Sequence, residues 1–202
     1  MFIYIQSSSE EILRCADGMV YNMALHDISH MSYIKKLKKP FLLVHGGLQG
    51  RMAPIPEIVE FSKKWKPKLI IAPDIYRDQT STTILTEQFV QVCGNLIKRS
   101  AAVIQGGLED FEEVLRLYDR WGFKWVAIPS DNYPILGLID FIKEQGWKVH
   151  ILGARWGEGM IHEEIIHNDV DSIDIVANDF SCLRGLIAWK KFIIPTECKI
   201  KR

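Results

Sequence analysis

Six polar side chains of this chain follow or interrupt short runs of apolar residues. They are His45, Asp74, Gln105, Asp131, Asp174 and Asn178. Carboxylates grouped in a partly desolvated pocket can divide their roles. One can stay ionised as a nucleophile or oxocarbenium stabiliser while another is protonated or accepts a hydrogen bond from a substrate N–H. Amides read donor and acceptor edges without charge. This combination suits an enzyme that breaks a glycosidic bond and recognises a planar heterocycle.

The three aspartates differ in how readily a purely local role explains them. Asp74 follows a proline and Asp131 precedes an asparagine, so either could be a helix cap or a turn residue. Asp174 interrupts an apolar run. A lone carboxylate there is costly unless it faces a polar site, so Asp174 is the stronger candidate for chemistry.

The elements that must position these side chains are eight apolar runs, spaced about one strand plus one helix apart. They are Phe2–Gln6, Phe41–Gly47, Lys68–Asp74, Ala101–Gly107, Trp125–Asp131, Lys148–Gly153, Ser172–Asn178 and Lys191–Pro195. Near-continuous Val, Ile and Leu runs are typical of parallel strands buried on both faces. Eight such units predict an α/β fold, a compact (β/α)8 TIM-type barrel with short loops, whose chemistry lies where the strands end.

The segments between the runs carry helical patterns. The predicted helices are Thr82–Arg99, Leu108–Tyr118, Pro56–Lys64, Tyr133–Glu144, Gly157–His167 and Phe180–Ala188. In the first, an apolar stripe that includes Ile84, Phe89 and Val92 is expected to face the core. No linker or change of composition divides the chain, so residues 1–202 are predicted to form one domain.

The composition narrows the class of protein. The 202 residues are 48% hydrophobic and carry a formal net charge of zero, which excludes a global attraction to nucleic acid or membranes but allows a local patch to bind. The four cysteines show no metal-ligand or CxxC spacing, and neither a secretory leader nor a membrane-spanning segment is recognisable. We therefore expect a soluble cytoplasmic protein.

Two groups of basic residues receive different interpretations. The lysine clusters that begin at Lys35, Lys63 and Lys190 precede predicted strands, so they are expected to complement helix C-termini at the end of the barrel away from the site. Arg77, Arg155 and Arg184 follow the third, sixth and seventh predicted strands. Their guanidinium groups suit phosphate, which makes them candidates for binding a nucleic-acid backbone.

Apparent metal and cofactor motifs do not fit the chemistry they resemble. His162 and His167 are five residues apart, whereas a zinc-protease helix needs its histidines four apart. The glycine-rich segment from Gly153 fits neither a P-loop nor a dinucleotide fingerprint. We therefore predict no metal and no cofactor.

In order along the chain, several short motifs resemble those of the tRNA-guanine transglycosylases and their DNA-modifying relatives in phage and bacterial 7-deazaguanine systems. Pro40–Gln49 resembles the family's strand ending in Asp-Ser-Gly-Gly-Phe-Gln. Ile71–Asp74 resembles the strand whose aspartate recognises the exchanged base, and Val103–Gly107 resembles its Val-Gln-Gly strand. Lys148–Gly153 and Val170–Val176 are similar to later segments, the second of which carries the nucleophilic aspartate.

The resemblance implies a role for each matching residue. Asp174 would attack the anomeric carbon of a guanosine, form a covalent enzyme–nucleic acid intermediate and release guanine, which a 7-deazaguanine base then replaces. Asp74 and Gln105 would bind the base, assisted by Asp131, with Gly106 and Gly107 allowing backbone N–H groups to approach it closely. The target nucleotide must be flipped or single-stranded to reach such a pocket.

The chain departs from the family's pattern in three places. Val44 stands where the family has the aspartate of Asp-Ser-Gly-Gly, and the neighbouring His45 is the candidate to replace it in acid–base work. Pro129–Asn132 replaces the family's Gly-Gly-Leu loop. The clustered cysteines of the family's C-terminal zinc subdomain have no counterpart, since only Cys198 lies near the C-terminus.

The missing zinc subdomain favours a minimal relative of the DNA-modifying branch, which would include a phage-encoded protein in the host cytoplasm. Val44 instead favours a barrel that has lost catalysis, so several alternatives stay open. The first is a tRNA-guanine transglycosylase acting on tRNA. The second is a catalytically degenerate barrel that binds a nucleobase or nucleic acid, or scaffolds a modification complex. The third is an unrelated small-molecule barrel enzyme. A barrel this short could also pair as a homodimer or use a partner protein for its DNA contacts.

Overall fold

The protein is a closed barrel of eight parallel strands in sequential order. The computed structural model describes residues 1–7, 9–23, 28–45, 52–109, 111–155 and 170–176. The strands are β1 (Phe2–Gln6), β2 (Gly18–Asn22), β3 (Phe41–Val44), β4 (Leu69–Ile71), β5 (Ser100–Val103), β6 (Trp125–Pro129), β7 (Lys148–Arg155) and β8 (Ser172–Val176). The prediction of an α/β fold with a closed eight-stranded barrel is confirmed.

One of the eight strands is not the one predicted. The second strand, Gly18–Asn22, was not recognised in the sequence, and the predicted run Lys191–Pro195 lies outside the described residues. The barrel closes without that run because β8 pairs with β1, with Tyr4 opposite Asp174. Because β2 was not predicted, each later predicted strand is one place further along the barrel than its predicted place. Arg77 follows β4, Asp131 follows β6 and Arg155 ends β7.

Helices connect the strands on the outside of the barrel. The described helices are α1 (Glu10–Cys15), α2 (Ile28–Leu37), α3 (Ile55–Trp65), α4 (Gln79–Cys93), α5 (Phe111–Arg120), α6 (Tyr133–Leu136) and α7 (Ile139–Glu144), with a 3-10 helix over Gly94–Arg99. The first two were not predicted. The predicted helices Gly157–His167 and Phe180–Ala188 lie outside the described residues. No described helix has the length and apolar character needed to cross a membrane.

The buried face of α4 differs from the predicted apolar stripe. Ile84 is 51% and Val92 47% exposed, whereas Thr82 and Thr86 are fully buried beside Phe89. The Thr82 hydroxyl accepts a hydrogen bond from the Ile75 N–H at 2.9 Å and donates to the Ile75 carbonyl at 3.1 Å. The helix is therefore rotated so that a threonine holds the loop after β4, and two apolar side chains are left at the surface.

Alternation along the strands creates two separate layers of buried side chains. One layer fills the barrel and consists of Tyr4, Val20, Leu42, Leu69, Ile71, Ala101, Val103 and Ala127. The other lies between the strands and the helices, as at Ile70 and Val149. Asp174 is opposite the inward-facing Tyr4, and the ring of His150 lies edge-on to Tyr4 with centroids 6.1 Å apart. Both polar residues therefore belong to the barrel interior.

Gly18 shows why β2 can pack at this position. A Cβ atom on Gly18 would lie 2.8 Å from the Phe2 ring, the Tyr4 ring and the backbone carbonyl oxygen of Pro40. Such a contact is shorter than van der Waals separation. A glycine is required here because the two β1 rings and the chain entering β3 occupy the space of a side chain.

We expect Gly18→Ala to lower the free energy of unfolding by about 1–3 kcal/mol, because a backbone oxygen cannot move aside as a flexible side chain can. Urea denaturation followed by circular dichroism measures the loss. Gly137→Ala is the matched control, since its Cβ would meet nothing closer than 3.7 Å. Equal stability of wild type and Gly18→Ala would contradict the packing described for β2.

Candidate functional site

Three of the predicted site residues form one hydrogen-bonded group where β3, β4 and β5 end. The Nε2 atom of His45 lies 2.7 Å from Asp74 Oδ1, and Gln105 Nε2 donates to Asp74 Oδ2 at 2.6 Å. His45, Asp74 and Gln105 are each no more than 9% exposed. A buried carboxylate is thus held on both oxygens, one by an imidazole and one by an amide.

The orientation of the Gln105 amide is determined by its neighbour. The backbone N–H of Arg77 donates to Gln105 Oε1 at 2.9 Å. A backbone N–H can only donate, so the amide oxygen must face Arg77 and the NH₂ group must face Asp74. The second N–H of that NH₂ group is a donor that a ligand beside Asp74 can use.

His45 has one ring nitrogen engaged by Asp74 and one without a partner in the described part of the chain. Asp74 also places its backbone N–H 3.3 Å from Nε2. Nε2 cannot both donate to the carboxylate and accept from the N–H. The 2.7 Å contact favours an N–H on Nε2 that donates to Oδ1. The Nδ1 atom of His45 is buried and makes no hydrogen bond to any described residue. It is the polar atom of this group that remains unsatisfied, a cost that a bound polar ligand would remove.

Gln79, in the first turn of α4, fixes the segment that carries Gln105. Its Oε1 atom accepts the backbone N–H groups of Gln105 at 2.8 Å and Gly106 at 3.0 Å. Its Nε2 atom donates to the Tyr118 hydroxyl at 2.9 Å, and that hydroxyl donates to the Val103 carbonyl at 2.8 Å. A chain of side chains from α4 and α5 therefore positions the end of β5.

A second buried group lies inside the barrel on β7 and β8. The Nε2 atom of His150 is 3.0 Å from Asp174 Oδ1, and its Nδ1 atom is 2.9 Å from the Ser172 hydroxyl. Asp174 is 4% exposed and His150 is fully buried. Desolvation of the carboxylate is offset by hydrogen bonds, as a buried charge requires.

A bulge in β7 supplies the second partner of Asp174. The pairing of β7 with β8 shifts register between Ile151 and Ala154, and Gly153 has a φ of 71°. The extra residue allows the Gly153 N–H to donate to Asp174 Oδ1 at 2.8 Å. In the part of the chain that the structure describes, both hydrogen bonds to the Asp174 side chain fall on Oδ1.

The predicted backbone-binding Arg77 and the predicted base-binding Asp131 are paired with each other. Arg77 Nη2 lies 3.2 Å from Asp131 Oδ2, and the Tyr76 hydroxyl donates to the same oxygen. Arg77 has the left-handed φ of 59° and stacks over the Tyr76 ring. Hydrogen bonding to Asp131 raises the pKa of the exposed Tyr76. These three residues bridge the loops after β4 and β6 above the end of β5.

The remaining predicted residues have different outcomes. Gly106 has its N–H bonded to Gln79, and a Cβ atom there would lie 3.1 Å from Gln79 Cβ. A Cβ on Gly107 would meet nothing within 4 Å. Arg155 is the last residue of β7, with only its backbone described. Arg184 and Asn178 lie outside the described residues.

Sequence reasoning missed three residues that complete these groups. Gln79 and Tyr118 lie on helices and His150 lies within a strand, so none ends an apolar run. A signal for His150 was present, because it and Asp174 both interrupt buried strands with polar side chains. Within the described ranges, no cluster of three or more His, Cys, Asp or Glu side chains could hold a metal ion.

Comparison with known proteins adds no assignment. No protein-family model matches the chain, and no curated protein matches it significantly. Its function is therefore inferred from the site.

The contribution of the Tyr118 hydroxyl to folding stability can be tested at alkaline pH. Burial raises the pKa of Tyr118 to about 12, whereas an unfolded tyrosine titrates near 10. The stabilisation by Tyr118 is therefore complete below pH 10 and is lost as the pH rises toward 12. Tyr118→Phe is expected to be less stable than wild type at pH 8 by about 1–2 kcal/mol, because Gln79 and Val103 lose a partner.

The difference in free energy of unfolding between wild type and Tyr118→Phe should be about 1 kcal/mol smaller at pH 11 than at pH 8. Only the wild type has a tyrosine at position 118 that ionises on unfolding. Urea unfolding of both proteins at the two pH values measures the change. Tyr133→Phe is the control, since Tyr133 is 45% exposed and should show no such convergence. A gap that is constant with pH would contradict the buried, neutral hydroxyl.

Proposed function

We propose that the protein is a base-exchange glycosyltransferase that replaces guanine in DNA with a 7-deazaguanine derivative. The observation that carries the proposal is a pair of buried carboxylates, Asp74 and Asp174, each held by an imidazole at one oxygen. Asp74 follows β4 and Asp174 lies within β8, and these two strands are on opposite sides of the barrel. A nucleotide between them would have its base at one carboxylate and its sugar at the other.

Asp174 is the nucleophile in this proposal. His150 and Gly153 hold Oδ1, which directs Oδ2 as the attacking atom. Oδ2 forms an ester bond to the anomeric carbon as the bond to guanine N9 breaks, and guanine leaves with the electron pair of that bond. The incoming base then attacks the same carbon through its own N9 and displaces Asp174. The two displacements together retain the configuration at the anomeric carbon, and they need no oxidant or reductant.

His45 moves the proton that this exchange requires. The departing guanine must gain a proton, and the incoming base must lose one from N9. An imidazolium at His45 would give its Nδ1 proton to the departing guanine, and the neutral ring left behind would take the N9 proton of the incoming base, because Nδ1 is unpartnered in the described structure and Nε2 is held by Asp74. In this proposal the His45 imidazole replaces the carboxylate that the tRNA-guanine transglycosylases have at the position of Val44.

Asp74 and Gln105 provide the edge that recognises the base. A guanine or 7-deazaguanine presents N–H donors at N1 and the exocyclic amine next to a carbonyl acceptor. Asp74 accepts from the donors through lone pairs that His45 and Gln105 leave unused, and the second N–H of Gln105 donates to the carbonyl. Asp131 would join them only on leaving Arg77, to which it is now paired.

DNA is the preferred polymer in this proposal, with tRNA as the alternative that the resemblance also allows. Because the carboxylates are buried, a base in a duplex cannot reach them without leaving its stack. Arg77 lies at the exposed rim beside these residues. Its guanidinium group would contact a phosphate after its ion pair with Asp131 breaks.

A second candidate function is a barrel that binds a nucleobase without exchanging it. The observation that favours it is Val44, which ends β3 and packs against the apolar layer inside the barrel. An apolar side chain at this position cannot transfer a proton. If His45 does not supply that step, the pocket would still bind a purine through Asp74 and Gln105.

Incubation with guanine-containing DNA or tRNA and an isotopically labelled 7-deazaguanine base tests the proposal by mass spectrometry. We expect incorporation into DNA and a covalent protein–nucleic acid adduct in the absence of the incoming base. Asp174→Asn should abolish both, because an amide is a poor nucleophile. Asp140→Asn, a change on the exposed surface of α7, should retain both.

Exchange at the wild-type rate by Asp174→Asn would refute the assigned nucleophile. Absence of both incorporation and adduct in the wild type, with purine binding retained in calorimetry, would instead establish the binding-only barrel.

His150 is expected to act as a positioning residue for Asp174. Removing the imidazole in His150→Ala should lower kcat about 10²-fold, as the loss of one preorganised donor does at other sites, while KM for the free base changes little. Added imidazole should restore part of kcat. Ser172→Ala should cause a smaller loss, because Ser172 contacts only the far ring nitrogen. Circular dichroism serves as the check on folding, and an unchanged kcat in folded His150→Ala would contradict this role.

A further inference from the structure

Positive charge is concentrated in one part of the chain. Residues 33–68 contain nine Lys and Arg residues against two Glu residues, so the rest of this neutral protein carries a net charge of −7. This segment contains the second half of α2, then β3 and α3, and it leads into β4. A net positive charge is therefore carried by consecutive elements of the barrel, which can attract a polyanion although the whole protein is neutral.

Six exposed lysines form what we call the amino-end lysine cluster. They are Lys35, Lys38, Lys63, Lys64, Lys66 and Lys68. They lie at the C-terminal ends of α2 and α3 and just before β3 and β4, which is the amino end of the strands. Within the described structure none of the six pairs with a carboxylate, whereas the neighbouring Lys36 pairs with Glu10 at 2.7 Å.

Aromatic rings bring part of the cluster together. The Nζ atoms of Lys35 and Lys64 lie 5.1 and 5.7 Å from the centre of the Trp65 ring, which joins the ends of α2 and α3. Lys68 Nζ lies 3.6 Å from the centre of the Phe2 ring. Lys35 and Lys64 therefore share one surface at Trp65, and Lys68 lies at the same end of the strands beside β1.

The expected position at helix C-termini is confirmed for Lys35, Lys63 and Lys64, which lie in the last turns of α2 and α3, but their side chains are not needed as caps. At the end of α2 the backbone N–H of Lys38 donates to the Ile34 carbonyl, and at the end of α3 that of Lys66 donates to the Ser62 carbonyl. Both lysines adopt a left-handed φ, of 49° and 53°. The backbone therefore caps these helices without the ammonium groups. Only Lys39 uses its side chain in this way in the described structure, and it does so on α1, at the Leu13, Arg14 and Ala16 carbonyls.

We propose that the amino-end lysine cluster binds the phosphate backbone of a nucleic acid. Several unpaired ammonium groups on one surface match a polyanion with regularly spaced charges, and phosphate contacts need no base recognition. A lipid surface fits less well, because none of the large hydrophobic side chains that are exposed in the described structure belongs to α2, to α3 or to the residues just before β3 and β4. The cluster is at the opposite end of the strands from Asp74, so it holds a stretch of polymer other than the reacting nucleotide.

Fluorescence anisotropy with a labelled DNA duplex, a labelled single strand and a labelled RNA duplex tests this surface. We expect the logarithm of the association constant to fall linearly with the logarithm of the salt concentration. The expected slope is about −4, which corresponds to about four or five phosphate contacts. The triple variant Lys35→Gln, Lys64→Gln, Lys68→Gln should weaken binding at least about tenfold and reduce the slope by about 2 to 3. Comparison of the three probes identifies the preferred polymer.

The matched control is Arg116→Gln, Arg120→Gln, Lys124→Gln, which removes the same charge from the α5 side of the barrel. Equal losses in the two triple variants, or no salt-dependent binding by wild type, would overturn the proposal. So would binding to phosphatidylserine vesicles without binding to any nucleic acid. Because the cluster lies at the opposite end of the strands from Asp74, we expect its salt-dependent binding of nucleic acid whether or not base exchange is detected, so the two proposals can fail independently.

Discussion

The burial of two carboxylates in a closed apolar barrel is the constraint on which the rest of this structure depends. An unpaired carboxylate in such an environment loses several kcal/mol of hydration. Asp174 is compensated by His150 and by the bulge at Gly153, and Asp74 by His45 and Gln105. Each partner comes from a neighbouring strand, so the barrel must close in one register for either aspartate to be tolerated.

The same constraint explains how the outer helices take part in the site. Gln105 can hold Asp74 only if the end of β5 is fixed, and Gln79 fixes it by accepting two successive backbone N–H groups. Gln79 is in turn held by Tyr118, and Thr82 anchors the loop that follows β4. Polar contacts to the start of α4 therefore take precedence over burying the apolar side chains of that helix, which leaves Ile84 and Val92 exposed.

How far each element could be predicted depends on whether its signal is local. The runs beginning at Phe41, Ala101 and Trp125 were recognisable because a strand buried on both faces needs consecutive apolar residues. Strand β2 was missed because Gly18–Asn22 begins with a glycine, ends with an asparagine and follows a helix of only six residues. Its glycine is explained by the rings of Phe2 and Tyr4 and by the Pro40 carbonyl oxygen, contacts that exist only once the strands lie side by side.

By itself, the sequence determined the class of fold and the positions at which polar side chains end or interrupt the strands. Periodicity and composition are local properties, and they are sufficient for that much. Only the tertiary structure decided which side chains are partners. His45 joins Asp74, His150 joins Asp174, and Arg77 neutralises Asp131, across 29, 24 and 54 residues of chain. Strand register and barrel closure set those contacts, because a hydrogen bond depends on distance in space and not on spacing along the chain.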